Sequence, residues 1–130
     1  MNSQIAHYKE KLAYEMDSWD LYISLQNNEN IVVVDARSKE AYDLQHIPGA
    51  VNLPHRSMSE VTTAALDKEK LYVCYCDGIG CNASTKAALK LAELEFHVKE
   101  LIGGLDWWCR DGYATEGHEG KKGKKLVCGC

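Results

Sequence analysis

The chain has 130 residues, 45% of them hydrophobic and 26% charged, which suits one domain with a buried core and excludes both two full domains and a wholly disordered chain. Fifteen Lys and Arg against nineteen Asp and Glu leave a formal charge of −4, a field that repels polyanions, so nucleic acid is not an expected partner. No apolar run approaches the roughly 20 residues of a membrane-spanning helix, and residues 1–10 are polar rather than signal-like; the expectation is a cytoplasmic protein with no membrane partner.

In chain order, Ile5, Tyr8, Leu12 and Met16 recur every three or four residues, which predicts an N-terminal helix over 1–16. Its apolar stripe is expected on the core or on a second copy of the chain, a homodimer. Asp17 or Ser18 offers the cap for a short helix carrying Trp19, Tyr22, Ile23 and Leu25, and the polar run 26–30 ends it. "IVVVDAR" (31–37) opens with four β-branched residues, the mark of a strand buried on both faces of a parallel sheet. Ser38 caps a helix to Leu44, "HIPGA" breaks it, and "AVNLP" (50–54) makes a short strand. A helix is expected from Ser57 or Ser59 to Leu66. "KLYVCYC" (70–76) is the next strand, "NASTKAALKLAELEF" (82–96) an Ala- and Leu-rich helix, and "HVKELI" (97–102) the last strand. Gly103 and Gly104 turn the chain into "LDWWCRDGY" (105–113), whose Trp107 and Trp108 read as core and rim. Strands alternating with helices argue for an α/β sheet with right-handed crossovers. After Tyr113 periodicity stops, and the Gly- and Lys-rich stretch 114–130 is expected to be a flexible tail ending in Cys-Gly-Cys.

The six cysteines, at 74, 76, 81, 109, 128 and 130, read as thiols in a core-bearing chain without an export signal. On a parallel α/β sheet ligands bind beyond the carboxyl ends of strands, and Cys76 ends one. Gly78 and Gly80 allow unusual backbone angles, so that loop amides turn inward around one point. The helix beginning near Asn82 adds its positive end. A sulfur held there would be a nucleophilic thiolate at neutral pH. The bland alternative is a small buried hydrophobe. Cys74, two residues deeper in the strand, reads as core. Cys81 is either a resolving thiol or a plain loop residue.

"VVVDARSKEAYDLQHIPGAVNLP" (32–54), "LYVCYCDGIGCNASTKAALKLAELEF" (71–96) and "VKELIGGLDWWCRDGY" (98–113), in this order and spacing, resemble rhodanese-like domains, with a D-x-R after a buried strand, H-I-P-G-A, an active cysteine and a Gly-Gly turn. The resemblance covers residues 17–113. It implies a rhodanese-like α/β fold, a five-stranded, mainly parallel sheet with helices on both faces. It also implies a sulfurtransferase in which Cys76 carries a persulfide and Asp77, Gly78, Ile79, Gly80, Cys81, Asn82 and Ala83 form the amide cradle. The partners it implies are a small-molecule sulfur donor, thiosulfate or a persulfide, and a thiol or protein acceptor, with no cofactor and no metal. Asp35 and Arg37 match the D-x-R positions and His46 the histidine of the turn; as residues, the first two read as a structural ion pair and His46 as a turn brace.

The chain departs from the common pattern at the loop. Asp77 follows the cysteine, Ala83 stands where relatives carry an arginine, and the loop is about two residues longer. With no basic side chain in the loop, a dianionic donor would rely on backbone dipoles alone, which makes thiosulfate a poor donor and a less charged persulfide a better one. Phosphoryl chemistry on related loops needs an arginine six positions after the cysteine, with five residues between them, where Cys76 has Asn82. Two other functions fit the same residues: a non-catalytic binding module, and a thiol redox protein coupling Cys76 to Cys81. Cys128 and Cys130 read as an inert end or as stations, with Cys81, of a sulfur relay.

Overall fold

The computed structural model describes residues 1–123. In chain order the elements are α1 (Asn2–Tyr14), β1 (Glu15–Met16), α2 (Ser18–Gln26), β2 (Ile31–Asp35), α3 (Lys39–Leu44), β3 (Val51–Asn52), a 3-10 turn (His55–Ser57), β4 (Leu71–Tyr75), α4 (Ala83–Glu93), β5 (His97–Leu101) and α5 (Gly104–Arg110). The five strands form one sheet in the order β1-β5-β4-β2-β3, and every pairing is parallel. β4 therefore runs through the middle of the sheet and delivers its carboxyl end to the centre of one edge.

Strand alternation sends successive side chains to opposite faces. Val33, Val73 and Tyr75 join Leu21, Ile47, Leu105 and Trp108 in one core. Val34, Tyr72 and Cys74 join Ala87, Leu91 and Phe96 of the α4 side in the other. Burial on both faces accounts for the unbroken apolar runs in β2 and β4. No helix among the described residues is long and apolar enough to cross a membrane.

Four sequence expectations are revised. Residues 15–16, assigned by spacing to the N-terminal helix, are instead the edge strand β1, because Met16 pairs with Leu101 of β5. α1 itself leaves Ile5, Tyr8 and Leu12 exposed, which removes the core from the two places expected for its apolar stripe. Residues 57–66 form a 3-10 turn and successive turns instead of an α-helix. Here Ser59 and Thr62 exchange side-chain hydrogen bonds with the backbone (Ser59 N–H to Thr62 Oγ1 2.8 Å, Thr62 Oγ1 to Ser57 O 2.6 Å), and that local bonding competes with helical bonding. Residues 114–123, expected within a flexible tail, pack back on the loop after α3. His46 and Glu116 form a β-bridge, Thr115 is buried and bonded to Gln45, and Gly117, at φ +110°, lies where a Cβ would meet the Asp43 and Leu44 carbonyls. Glycines that read as signs of mobility are there for close approach. Cys128 and Cys130 lie outside the described residues.

Candidate active site

The β2–β4 register pairs Ile31 with Leu71 through Asp35 with Tyr75, and the bond from Ala36 N–H to the Tyr75 carbonyl (3.0 Å) carries it one step further. Continuing that offset brings Arg37 beside Asp77. Arg37 indeed bonds Asp77 through Nη1 (3.0 Å), while its Nη2 and Nε hold Asp35 (2.8 and 3.1 Å). Asp35 is fully buried and also accepts from the Tyr75 hydroxyl (2.6 Å), which in turn accepts from the Ile47 amide (3.1 Å). Burial opposes the Arg37 charge, but the hydrogen bonds and charge of Asp35, then Asp77, outweigh it and hold the guanidinium above its ordinary range. Burial, reinforced by Asp35, likewise raises the Tyr75 hydroxyl. The pair read from sequence as structural is the hub that fastens β2, β4 and the loop after α3 together.

His46 sits on the far side of that hub. Its ring stacks on Tyr42 at 3.8 Å and its Nδ1 lies 2.7 Å from the Tyr42 carbonyl, so it braces the turn and does not line the cavity at Cys76.

Cys76 follows β4, with its side chain on the Cys74 face, and is 2% exposed. Burial, with Glu100, pushes the Cys74 thiol up to about 12, which keeps it protonated and a core residue. The backbone at Cys76 is held from behind by α5. The Leu105 amide donates to the Cys76 carbonyl (2.9 Å) and the Asp106 amide to the Asp77 carbonyl (2.7 Å). Such close approach requires glycine at 104, where φ is +58° and a Cβ would collide with the Cys76 carbonyl and stand 3.0 Å from the Gly78 nitrogen. The conformational freedom expected of Gly78 and Gly80 is not used, since neither has positive φ; Gly103 and Gly104 carry the left-handed angles instead. Gly78 is small for a different reason, a Cβ there standing 3.2 Å from that of Asp106.

The outer part of the loop is open. Asp77, Ile79, Gly80 and Asn82 are exposed, Gly78, Cys81 and Ala83 half-buried. Among the described residues, the amides of Gly78, Ile79 and Gly80 donate to no backbone or side-chain acceptor. Cys81 returns to Cys76: its amide bonds the Gly78 carbonyl (3.2 Å), the two Cα atoms are 6.2 Å apart, and the sulfurs form a disulfide. The expectation of thiols at both positions is thus corrected, because the five-residue loop closes within the Cα separation a disulfide needs. With thiols free, Cys76, Asp77 and Cys81 are also the one set of three metal-type ligands clustered among the described residues, with ligand atoms within 4.8 Å.

A cavity of about 320 Å³ opens over the pair, lined by Arg37, Arg56, His55, Cys76, Cys81 and Ala83 among others. Arg56 and His55 escaped the sequence reading. They follow β3, whose carboxyl end abuts that of β2, and the bond from His55 N–H to the Ala36 carbonyl (3.3 Å) sets them at the rim. Their signal was present in "NLPHRS": basic residues just past a strand end on a parallel sheet. Burial, then Lys86, Lys90 and Arg56, push the His55 imidazole below its ordinary value, the sign of a positive local potential. An anion entering this cavity therefore meets Arg56 at the rim as well as backbone dipoles, while Arg37 is already paired with Asp35 and with Asp77, a carboxylate that also lines the cavity. A larger cavity, about 520 Å³, between residues 60–68 and 93–96, lies at the amino ends of β4 and β5 and contains no cysteine.

A family model, the rhodanese-like domain, matches residues 18–111. The chain belongs to the rhodanese-like family. Rhodanese-like relatives include the thiosulfate sulfurtransferase GlpE of Coxiella burnetii, 33% identical over 83% of this chain and 88% of that protein. The GlpE thiosulfate sulfurtransferase of Pseudomonas entomophila is 37% identical over 71% of this chain and 82% of its own. Among solved structures, the BH2092 protein of Bacillus halodurans superposes with a TM-score of 0.88 at 44% identity, over 98% of this chain and 94% of that one.

Proposed function

We propose that the protein is a rhodanese-type sulfurtransferase that moves a sulfane sulfur from a small anionic donor to a thiophilic acceptor through a persulfide on Cys76. One observation carries this reading: Cys76 stands at the carboxyl end of the central strand, on the floor of a cavity whose rim holds Arg37 and Arg56. With the disulfide reduced, the Cys76 thiolate attacks the outer sulfur of the donor. The sulfur–sulfur bond of the donor breaks, its remainder leaves with the electron pair, and Cys76 keeps the transferred atom as a persulfide. The Gly78, Ile79 and Gly80 amides, which have no acceptor among the described residues, and the amino end of α4, whose Ala83 lines the cavity, are the groups available to stabilise the resulting negative charge. An acceptor thiol, or cyanide in the test tube, then removes that atom.

Arg56 at the cavity rim brings thiosulfate back among the donors, beside less charged persulfides and thiosulfonates. Names of the GlpE relatives support the same direction. The acceptor in this reading is a low-molecular-weight or protein thiol. Intact mass of the reduced protein, taken immediately after mixing with thiosulfate or a thiosulfonate, tests the proposal. A gain of one sulfur atom, removed by cyanide and absent in Cys76→Ser, is the expected result; equal gain in Cys76→Ser would sink it.

The Cys76–Cys81 disulfide favours a second reading, a thiol redox protein. Rapid dithiol-dependent reduction of disulfide substrates with no sulfur uptake would select it.

A further inference from the structure

A single cysteine suffices to take up and pass on a sulfane sulfur, so Cys81 is unexplained by the reading above. Its place is specific. Cys81 is half-buried on the cavity wall, and its Sγ is bonded to the very atom that would carry the persulfide. The remaining cysteines among the described residues, Cys74 and Cys109, are free thiols. Reaching Cys76 needs no rearrangement of the loop, because the Cys81 amide is already turned back on the Gly78 carbonyl and the Cα separation is 6.2 Å.

Resting on the persulfide reading, we infer that Cys81 resolves the Cys76 persulfide and releases its outer sulfur as sulfide, which makes the protein a dithiol-dependent sulfide-releasing enzyme. The Cys81 thiolate attacks the Cys76 Sγ. The Sγ–Sγ bond forms, the bond from Cys76 Sγ to the outer sulfur breaks, and that sulfur departs with the electron pair as hydrosulfide, taking the proton Cys81 has given up. The sulfane sulfur is reduced, the two cysteines are oxidised to the disulfide, and no outside oxidant enters. Hydrosulfide is a weaker base than a cysteine thiolate, so it is the better leaving group of the two sulfurs flanking the bond. Relay of the outer atom onto Cys81 would instead require the Cys81 sulfur to stand one atom further out, and the loop sets it against the inner one.

The cycle closes by thiol–disulfide exchange with an external dithiol. One thiolate of the reductant attacks Cys81, the more exposed sulfur, and Cys76 leaves as thiolate. The second reductant thiol then resolves the mixed disulfide, returning Cys81 and leaving the reductant oxidised. The net reaction consumes one donor sulfur and one dithiol for each sulfide.

The test uses reduced, desalted full-length protein under anaerobic conditions, with thiosulfate or a thiosulfonate as the donor so that no other thiol is present. Wild type is expected to release one sulfide per chain, stop as the Cys76–Cys81 disulfide, and turn over repeatedly only when dithiothreitol is added. Cys81→Ser, with Cys81→Ala as a second variant, is expected to hold a cyanide-labile persulfide on Cys76 and release sulfide at least tenfold more slowly. A stable persulfide in wild type with Cys81 still free, or the extra sulfur mapped to Cys81, would overturn this inference and leave the sulfurtransferase reading standing. Failure of both donors to add sulfur to wild type and to the Cys81 variants would overturn that reading and this inference with it.

Discussion

The loop that carries Cys76 has two sides built in opposite ways. Its inner side, Cys76 and Asp77, is gripped by backbone bonds from α5 and by Arg37, itself locked on the buried Asp35. Its outer side, residues 79–82, is largely exposed and is tied down by one turn bond and the disulfide. The contrast separates two jobs. The inner side sets where the nucleophilic sulfur stands, and the outer side keeps its amides and the second sulfur available to whatever arrives.

Substitutions on the two sides should differ accordingly. Asp35→Ala has the largest expected effect: it strands the Arg37 guanidinium and the Tyr75 hydroxyl in the core, and a loss of about 3–5 kcal/mol in urea unfolding is expected. A loss under about 1 kcal/mol would show that the hub does not hold the edge. Next comes Gly104→Ala, which combines a left-handed backbone angle with a collision at the Cys76 carbonyl, for about 1–3 kcal/mol from the backbone alone. Gly80→Ala is its control, since that glycine has ordinary φ and open space around it, and its stability should stay within about 0.5 kcal/mol of wild type. Similar losses at 80 and 104 would erase the distinction. Reduction of the disulfide, which closes only a short outer loop, should lower stability by about 2 kcal/mol on the chain-entropy estimate, read from unfolding with and without dithiothreitol. A near-complete loss of folding on reduction would mean that the outer side carries the fold.

Much of this architecture was legible because its signals are periodic. The β-branched run of β2, the Ala-Leu stripe of α4 and the Gly-Gly turn each imply their element directly, and together they resemble the rhodanese-like pattern strongly enough to place Cys76 and the Asp35–Arg37 pair. β1 was not legible, since two residues that continue a helical stripe carry no strand signal until β5 is there to pair with them. The docking of 114–123 was hidden for a related reason: glycine composition does not distinguish close packing from mobility. At the site, adjacency along the chain favoured the loop residues, whereas Arg56 and His55 arrive through the β2–β3 register, a long-range fact. The Cys76–Cys81 bond stood only as one alternative among several, because a spacing of five does not fix how a loop folds back.

The most direct test of the central claim is steady-state formation of thiocyanate from thiosulfate and excess cyanide by reduced protein, with dithiothreitol present to reopen the Cys76–Cys81 disulfide, comparing wild type, Cys76→Ser and Arg56→Ala. The account predicts turnover in wild type, none above background in Cys76→Ser, and a thiosulfate KM raised about tenfold in Arg56→Ala with kcat little changed, the size of one charge-assisted contact. Turnover that survives in Cys76→Ser would contradict it.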